Sequence, residues 1–188
     1  RSANRHKTRF WRCSGGWPRI WGEKKATFYV HFESKDALIA ILIADYARRA
    51  DTDYKTFLEM LPDDMHVSEV LLALTQKIAD TLLNTIGCEN MKKVYQMLLA
   101  GTADTEAVKG YSRELYTLFY SVLEKGIRRG EVTSSLPLEA LSRHFVTAIR
   151  GVSYEWCIHH PNFDLKAQAA EHVQMLLGGI CFHTNKNT

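Results

Sequence analysis

Apolar residues recur every three or four positions through most of this chain, which is the spacing of one face of an α-helix. The first long run contains Leu38, Ile41, Leu42 and Tyr46. Ser34 can cap such a helix at its N-terminus, and Leu61-Pro62 interrupts it because proline cannot continue a helix. The pattern therefore predicts a helix from about Lys35 to Met60.

Five further segments have the same period, and glycine or proline separates several of them. They run from Val67 to Ile86, Asn90 to Ala100, Thr105 to Arg129, Leu138 to His159 and Asp164 to Ile180. The alternation of β-branched and polar residues that is typical of strands is scarce. The sequence thus predicts an all-α fold.

The last two predicted helices are apolar on more than one side. Large side chains surround the first of them between Phe145 and Ile158, and the second has an apolar stripe from Ala169 to Ile180. A helix that is apolar on two sides must bury both. Either this pair is central in the subunit, or it also contacts a second subunit, and we favour a homodimer built through a four-helix bundle.

The formal net charge of +3 is unevenly distributed along the 188 residues. Residues 1–35 have nine Lys or Arg and two Glu, whereas the rest of the chain has 15 basic and 19 acidic residues. A basic segment on a mildly acidic body is typical of a module that binds polyanions, although a solvated charged terminus has the same composition.

Cysteine spacing and hydropathy limit the class of protein. The four cysteines form no Cys-x-x-Cys pair, which speaks against a zinc site or a disulfide framework. No apolar run approaches the ~18 residues of a membrane span, and the N-terminus lacks the apolar stretch of a signal peptide. We therefore expect a soluble, cytoplasmic protein without a membrane partner.

The segment from Lys25 to Leu38 combines aromatic, basic and hydrogen-bonding residues. Phe28 and Phe32 are four positions apart and would share one helix face. The residues mostly off that face are Thr27, Tyr29 and His31, with Lys25 before them and Lys35 after. A short helix with an aromatic root and a cationic outer surface suits the DNA major groove.

The same segment resembles the recognition helix and following turn of the TetR-family transcriptional regulators. The matching positions are Gly22, Lys25, Thr27, Phe28, Tyr29, His31, Phe32, Lys35 and Leu38. The resemblance implies an N-terminal helix-turn-helix DNA-binding domain, residues 1–46, and a C-terminal helical ligand-binding and dimerisation domain, residues 47–188. It implies that Lys25 and Thr27 approach base edges or phosphates, and that Tyr29, His31 and Lys35 mainly contact phosphates.

Such a resemblance also implies a mechanism. A homodimeric repressor would bind a pseudo-palindromic double-stranded DNA operator and be released by a small-molecule inducer, hydrophobic or aromatic in character. Two body segments, Glu124 to Val132 and Arg150 to Trp156, resemble the AcrR-like, multidrug-sensing members in particular. We expect no cofactor, no metal site and no catalytic residue.

Residues 1–22 depart from the TetR pattern. The stretch from Arg9 to Gly22 has three Trp, three Gly and a Pro and lacks a helical period, and Glu23 and Lys24 replace the usual hydrophobic residue and Ser cap. Interleaved aromatic and basic residues suit stacking on nucleic acid, or the stretch is not native sequence. The alternative function is therefore a helical ligand-binding or interaction protein with a defective DNA-binding head.

Candidate ligand contacts in the body are bulky residues with polar or polarisable groups. They are Met91, Tyr95, Met97, Tyr111, Tyr116, Phe119, Tyr120, Tyr154 and Trp156. Residues of these types at helical spacing also form plain hydrophobic core. Glu155 offers a negative charge to a cationic ligand, or it lies on the surface.

A helical-bundle enzyme is the third interpretation. Glu155 and His159 are four residues apart, but the Glu-x-x-His motif of di-iron bundles does not occur. Nucleophile-elbow and phosphate-loop motifs are also missing from the sequence. We therefore expect no enzymatic activity.

Overall fold

The computed structural model describes residues 35–101, 104–111 and 113–180, and these residues are helical without a strand. Within these ranges seven α-helices follow one another: α1 (Lys35–Glu59), α2 (Val67–Thr81), α3 (Cys88–Ala100), α4 (Glu106–Lys109), α5 (Glu114–Arg128), α6 (Leu138–His159) and α7 (Leu165–Gly178). A π-helical turn, Leu82–Ile86, joins α2 to α3. The predicted all-α fold is confirmed for the described part of the chain.

Four of these helices form a closed ring around the main hydrophobic core. Helix α2 contacts α5 and α7, and α6 contacts α5 and α7. Phe119 and Phe145 are fully buried at the centre, where their rings stack with centroids 5.9 Å apart. Leu71, Leu74, Leu123 and Val173 are equally inaccessible to solvent. Burial of these apolar side chains is the main stabilising contribution of the ring.

Helices α1, α3 and α4 cover one side of this ring. The buried stripe of α1 consists of Ala40, Ile43, Ala47, Ala50 and Tyr54, at helical spacing. The predicted stripe was partly wrong, because Ile41 is 56% exposed on the opposite face.

The prediction of one helix from Thr105 to Arg129 was wrong, because the chain leaves helical geometry at Gly110. Its backbone, with φ −63° and ψ 146°, is extended and separates α4 from α5. A Cβ at this position would lie 2.6 Å from the carbonyl oxygen of Glu106, closer than real Cβ atoms come. Glycine is thus the residue that fits this break.

The predicted helix from Val67 to Ile86 begins at Val67 as expected, but its C-terminal end differs from a regular α-helix. Its last turn is the π-helical segment, in which the Gly87 N–H donates to the Leu82 carbonyl at 2.9 Å. At its start His66 is the N-cap, and its Nδ1 accepts from the Ser68 N–H at 3.3 Å. The remaining predicted helix limits agree with α1, α3, α6 and α7 to within about two residues. None of the described helices is both long and apolar enough to cross a membrane.

Candidate functional site

A cavity of about 290 Å³ lies between α1, α3 and α6, with the π-helical turn and the start of α5 completing its wall. Helix α1 contributes Ile43, Tyr46, Ala47, Ala50 and Tyr54. Helices α3 and α6 contribute Met91, Val94, Tyr95, Leu98, Val146, Ile149, Arg150 and Ser153. Ile78, Leu82, Ile86, Val108, Arg113 and Leu115 complete the lining. An apolar cavity with a few polar groups is the usual form of a small-molecule site.

Helix α1 borders the cavity with two tyrosines that are separated by two alanines. Tyr46 and Tyr54 are eight residues apart on the same side of α1, and Ala47 and Ala50 lie between them, which leaves open space. Burial raises the pKa of Tyr54 to about 12. Tyr54 is therefore a neutral hydrogen-bonding group throughout the physiological range.

Helices α3 and α6 are joined by hydrogen bonds at the cavity wall. The Tyr95 hydroxyl donates to the backbone carbonyl of Arg150 at 3.0 Å and lies 2.5 Å from Ser153 Oγ. Burial raises the pKa of Tyr95 above its ordinary value, which favours the hydroxyl form that donates. These bonds fix the spacing of the two helices beside the cavity.

The charged side chains of the lining are both arginines. The guanidinium of Arg113 donates to both carboxylate oxygens of Asp51, at 2.8 and 2.6 Å, and this pair is buried between α5 and α1. Arg150 donates to the Val108 carbonyl at 2.5 Å, and its guanidinium lies 5.5 Å from the centre of the Tyr116 ring. Arg113 therefore pairs with a carboxylate, whereas Arg150 contacts a backbone carbonyl and an aromatic ring.

The predicted ligand contacts are divided between this cavity and other surroundings. Met91 and Tyr95 line the cavity. The other predicted residues lie outside the lining: Met97, Tyr111, Tyr116, Phe119, Tyr120, Tyr154 and Trp156. Since core and pocket residues have the same composition, helical spacing alone did not separate them.

The residues outside the lining have several different environments. Phe119, Tyr116 and Trp156 are buried in the core, and Met97 packs in a small cluster between α1 and α3. Tyr120 is half-buried. Tyr111 is exposed beneath the Arg143 guanidinium, and Tyr154 is partly exposed with its ring edge against Tyr95. Tyr116 and Tyr154 thus support lining residues rather than line the cavity themselves.

Sequence reasoning missed Tyr46, Tyr54, Arg113 and Arg150. The tyrosines carried a usable signal, because they flank two alanines on the buried face of one long helix. The arginines carried none, since a single basic residue in a helix is ordinarily on the surface.

Glu155 and His159, the pair considered for an enzyme, lie on the outside of α6. Their side chains are about half exposed, and Glu155 Oε2 is 3.2 Å from His159 Nε2. Within residues 35–101, 104–111 and 113–180, no three His, Cys, Asp or Glu side chains are grouped in a way that would hold a metal ion.

A second space, about 340 Å³, lies between the end of α1, the 60–66 connection and α5. Its rim has charges of both signs, including the ion pair of Lys125 and Asp63 at 3.1 Å. Its lining has no tyrosine, and its arginines, Arg128 and Arg129, pair with Glu124 and Glu131. We therefore take the first cavity as the candidate site.

Comparison with known proteins gives the fold. No protein-family model and no curated protein matches the sequence. Among solved structures, a TetR-family regulator from Mesorhizobium loti superposes with a TM-score of 0.61 at 17% identity, covering 86% of this chain and 82% of its own. The chain has the TetR-family fold. The TetR-family repressor QsdR from R. erythropolis matches with a TM-score of 0.56 at 14% identity, covering 89% of this chain and 84% of its own. A TetR regulator from Streptomyces coelicolor gives 0.52 at 22% identity, covering 85% and 82%.

The predicted DNA contacts fall at the edge of the described structure. Lys25, Thr27, Tyr29 and His31 lie outside the described residues, and Lys35 is the first residue of α1. Helix α1 thus begins within the Lys25–Leu38 segment that resembles a recognition helix and its following turn.

Proposed function

We propose that this protein is a ligand-responsive transcriptional repressor that binds a pseudo-palindromic operator as a homodimer. The observation that supports this most strongly is the course of α1. One unbroken helix of 25 residues begins at Lys35, within the Lys25–Leu38 segment, and includes Tyr54 of the cavity wall, about 28 Å further along the helix. A ligand that changes the position of α1 therefore acts on the element nearest the DNA-binding segment.

In this proposal the recognition segment contacts DNA through Lys25, Thr27, Tyr29, His31 and Lys35. The boundary between the DNA-binding domain and the body, near residue 46, falls inside α1, so the two domains share this helix. The protein acts in the cytoplasm, where its operator is accessible.

The homodimer forms through the outer faces of α6 and α7. Ile158 of α6 and Met175 of α7 are exposed although both are apolar. A Cβ at Gly151 would have no atom within 4 Å, so a second helix has room to approach there. Exposed apolar side chains on adjacent helices are typical of a surface that a partner covers.

The dimer surface is tested with two variants of matched exposure. Met175 on α7 is 77% exposed and Leu99 on α3 is 76% exposed. Met175→Arg is expected to shift the protein from dimer to monomer in sedimentation velocity, because it buries a charge in the interface. Leu99→Arg is the control and should remain dimeric. Equal behaviour of the two variants would exclude this surface.

The inducer is hydrophobic or aromatic in the main, because the cavity wall is largely apolar. It acts only through a difference in affinity between the DNA-bound and the released arrangement of α1. The closer relationship to AcrR-like, multidrug-sensing proteins is part of the proposal and is supported by the sequence from Arg150 to Trp156. Glu155 lies outside the cavity lining, so it does not supply a charge to a ligand there.

DNA binding is tested with duplexes selected from random sequence by the purified protein. Combined Tyr29→Ala and Lys35→Ala substitution is expected to weaken binding in fluorescence anisotropy and to lower the salt slope by about one. Lys93→Ala, an exposed lysine of α3, is the control. An unchanged affinity and salt slope in the double variant would contradict the assignment of the recognition segment.

The second candidate function is a ligand-binding protein whose DNA-binding head is defective. The composition of residues 9–22 favours it, because three tryptophans and three glycines stand where helices are expected. This candidate gains support if no duplex is selected while a small molecule still raises the melting temperature of the protein.

A further inference from the structure

The charge of the cavity wall defines the kind of ligand. Apart from Arg113 and Arg150, the described residues of the lining are uncharged, and none is acidic. Tyr54 and Tyr95 are held in the neutral form by burial. The wall therefore carries positive charge only, in a mainly apolar environment.

The charge of Arg113 is already neutralised. Asp51 accepts two hydrogen bonds from its guanidinium, in the geometry of a bidentate arginine–carboxylate pair. Both side chains are buried, so the pair is shielded from solvent and from salt. Arg113 thus contributes hydrogen-bonding surface to the cavity but little net charge.

The charge of Arg150 has no such partner among the described residues. Its guanidinium has the Val108 carbonyl and the Tyr116 ring as neighbours, and neither is an anion. Four acids on the neighbouring helices pair with other cations: Asp45 with Arg48 and Arg49, Asp53 with Lys77, Glu89 with Lys92, and Glu106 with Lys109. Arg150 therefore leaves one uncompensated positive charge at the wall.

An arginine has five N–H donors, and one of those of Arg150 is used by Val108. A half-buried cation beside apolar surface is costly unless an anion pairs with it. A ligand carboxylate or comparable oxyanion would supply that partner with charge-assisted hydrogen bonds.

We infer that the cavity binds a singly charged anionic amphiphile, with its anionic group at Arg150 and its apolar body against Ile78, Leu82 and Ile149. This inference rests on the proposed function in that the cavity is the effector site of the regulator. It adds the class of ligand and the residue that determines its selectivity. Neutral ligands of the same shape bind more weakly, and cationic ligands are rejected.

The test uses three probes that share one alkyl chain and differ in charge: decanoate, 1-decanol and decylamine. Their affinities for the whole protein are measured by isothermal titration calorimetry near neutral pH. Decanoate is expected to bind about tenfold more tightly than 1-decanol, the size of one hydrogen bond to a charged group. Decylamine is expected to bind more weakly than either.

Variants of two arginines on the same helix identify the group responsible. Arg150→Gln is expected to bring the ratio of decanoate to decanol affinity close to one, while decanol still binds and reports a folded cavity. Arg150→Lys should keep part of the preference. Arg143→Gln is the matched control. Arg143 is also on α6 and also lies over a tyrosine ring, that of Tyr111, but it is outside the cavity lining. Its ratio should equal that of the unaltered protein.

Three results would overturn the inference: decylamine binding as tightly as decanoate, a preference for decanoate that survives in Arg150→Gln, or no binding of any probe. DNA binding is measured separately on the same samples. Anion-selective binding without any duplex binding would leave the inference standing and refute the repressor function. Duplex binding without anion selectivity would refute the inference and leave the repressor function standing.

Discussion

Removal of one partner of the buried ion pair between α1 and α5 should destabilise the protein far more than removal of an exposed pair nearby. In Asp51→Ala, Arg113 loses both of its carboxylate acceptors, which lie at 2.8 and 2.6 Å. The side chains of Asp51 and Arg113 are only 4% and 14% exposed, so water replaces the lost bonds poorly. Breaking a buried pair in this way costs about 3–5 kcal/mol.

We expect a value near the lower end, about 3 kcal/mol, because Arg113 borders the cavity and retains some contact with solvent there. For a protein of this size that corresponds to a fall in melting temperature of roughly 6–12 °C. Urea denaturation followed by circular dichroism measures the free energy of unfolding directly.

The control is Asp53→Ala, two residues further along α1. The Asp53 carboxylate is 2.8 Å from Lys77 Nζ, but the two side chains are 56% and 30% exposed. Such a pair contributes about 1 kcal/mol or less. Both substitutions replace Asp by Ala in one helix, so their propensity effects cancel. A difference below about 0.5 kcal/mol between the variants would refute the assignment of Asp51 as a buried structural charge.

Two further predictions concern packing and pH. A Cβ at Gly126 would lie 2.9 Å from methyl carbons of both Val67 and Val132. Gly126→Ala should therefore destabilise the protein by about 1–3 kcal/mol in the same urea assay. The control is Gly178→Ala, whose added Cβ has open space around it, and its free energy of unfolding should stay within about 0.5 kcal/mol of the parent. Burial raises the pKa of Tyr54 from 10.0 to about 12, so its phenol keeps its proton more tightly in the folded state. Its contribution is therefore complete below pH 10 and is lost as the pH rises towards 12, by about 2 kcal/mol, and Tyr54→Phe should reduce this fall. An alkaline stability curve of the same slope in Tyr54→Phe would show that other groups cause the fall.

The helix pattern was largely predictable because most of the helices follow one buried stripe. Helix α6 begins and ends at Leu138 and His159, as the apolar period and the preceding proline indicate. The two errors in helix limits arose from local backbone geometry. The break at Gly110 and the π-helical turn at Leu82–Ile86 depend on close contacts and hydrogen bonds that leave hydrophobic periodicity unchanged.

The cavity was less predictable than the fold. Met91 and Tyr95 were among the predicted contacts, but a cavity is a place where helices fail to fill space, which depends on how neighbouring elements are arranged. Ala47 and Ala50 leave that space open, and an alanine has no polar or aromatic group that would mark it in the sequence as a ligand contact. The half-buried position of Arg150 follows from its neighbours Val108 and Tyr116, which are distant in sequence.

The π-helical turn contains a residue that the cavity wall beside it does not use. Leu82 and Ile86 of this turn both line the cavity, whereas Asn84 between them is exposed. A π-helical turn holds one residue more than an α-helical turn for about the same rotation, so loss of the exposed Asn84 would return the turn to α-helical geometry and leave Leu82 and Ile86 facing the cavity. The same deletion in the regular part of α2 would rotate every following residue of the helix by about 100°. The turn is therefore the place in this helix where the chain can change its length and keep the cavity wall.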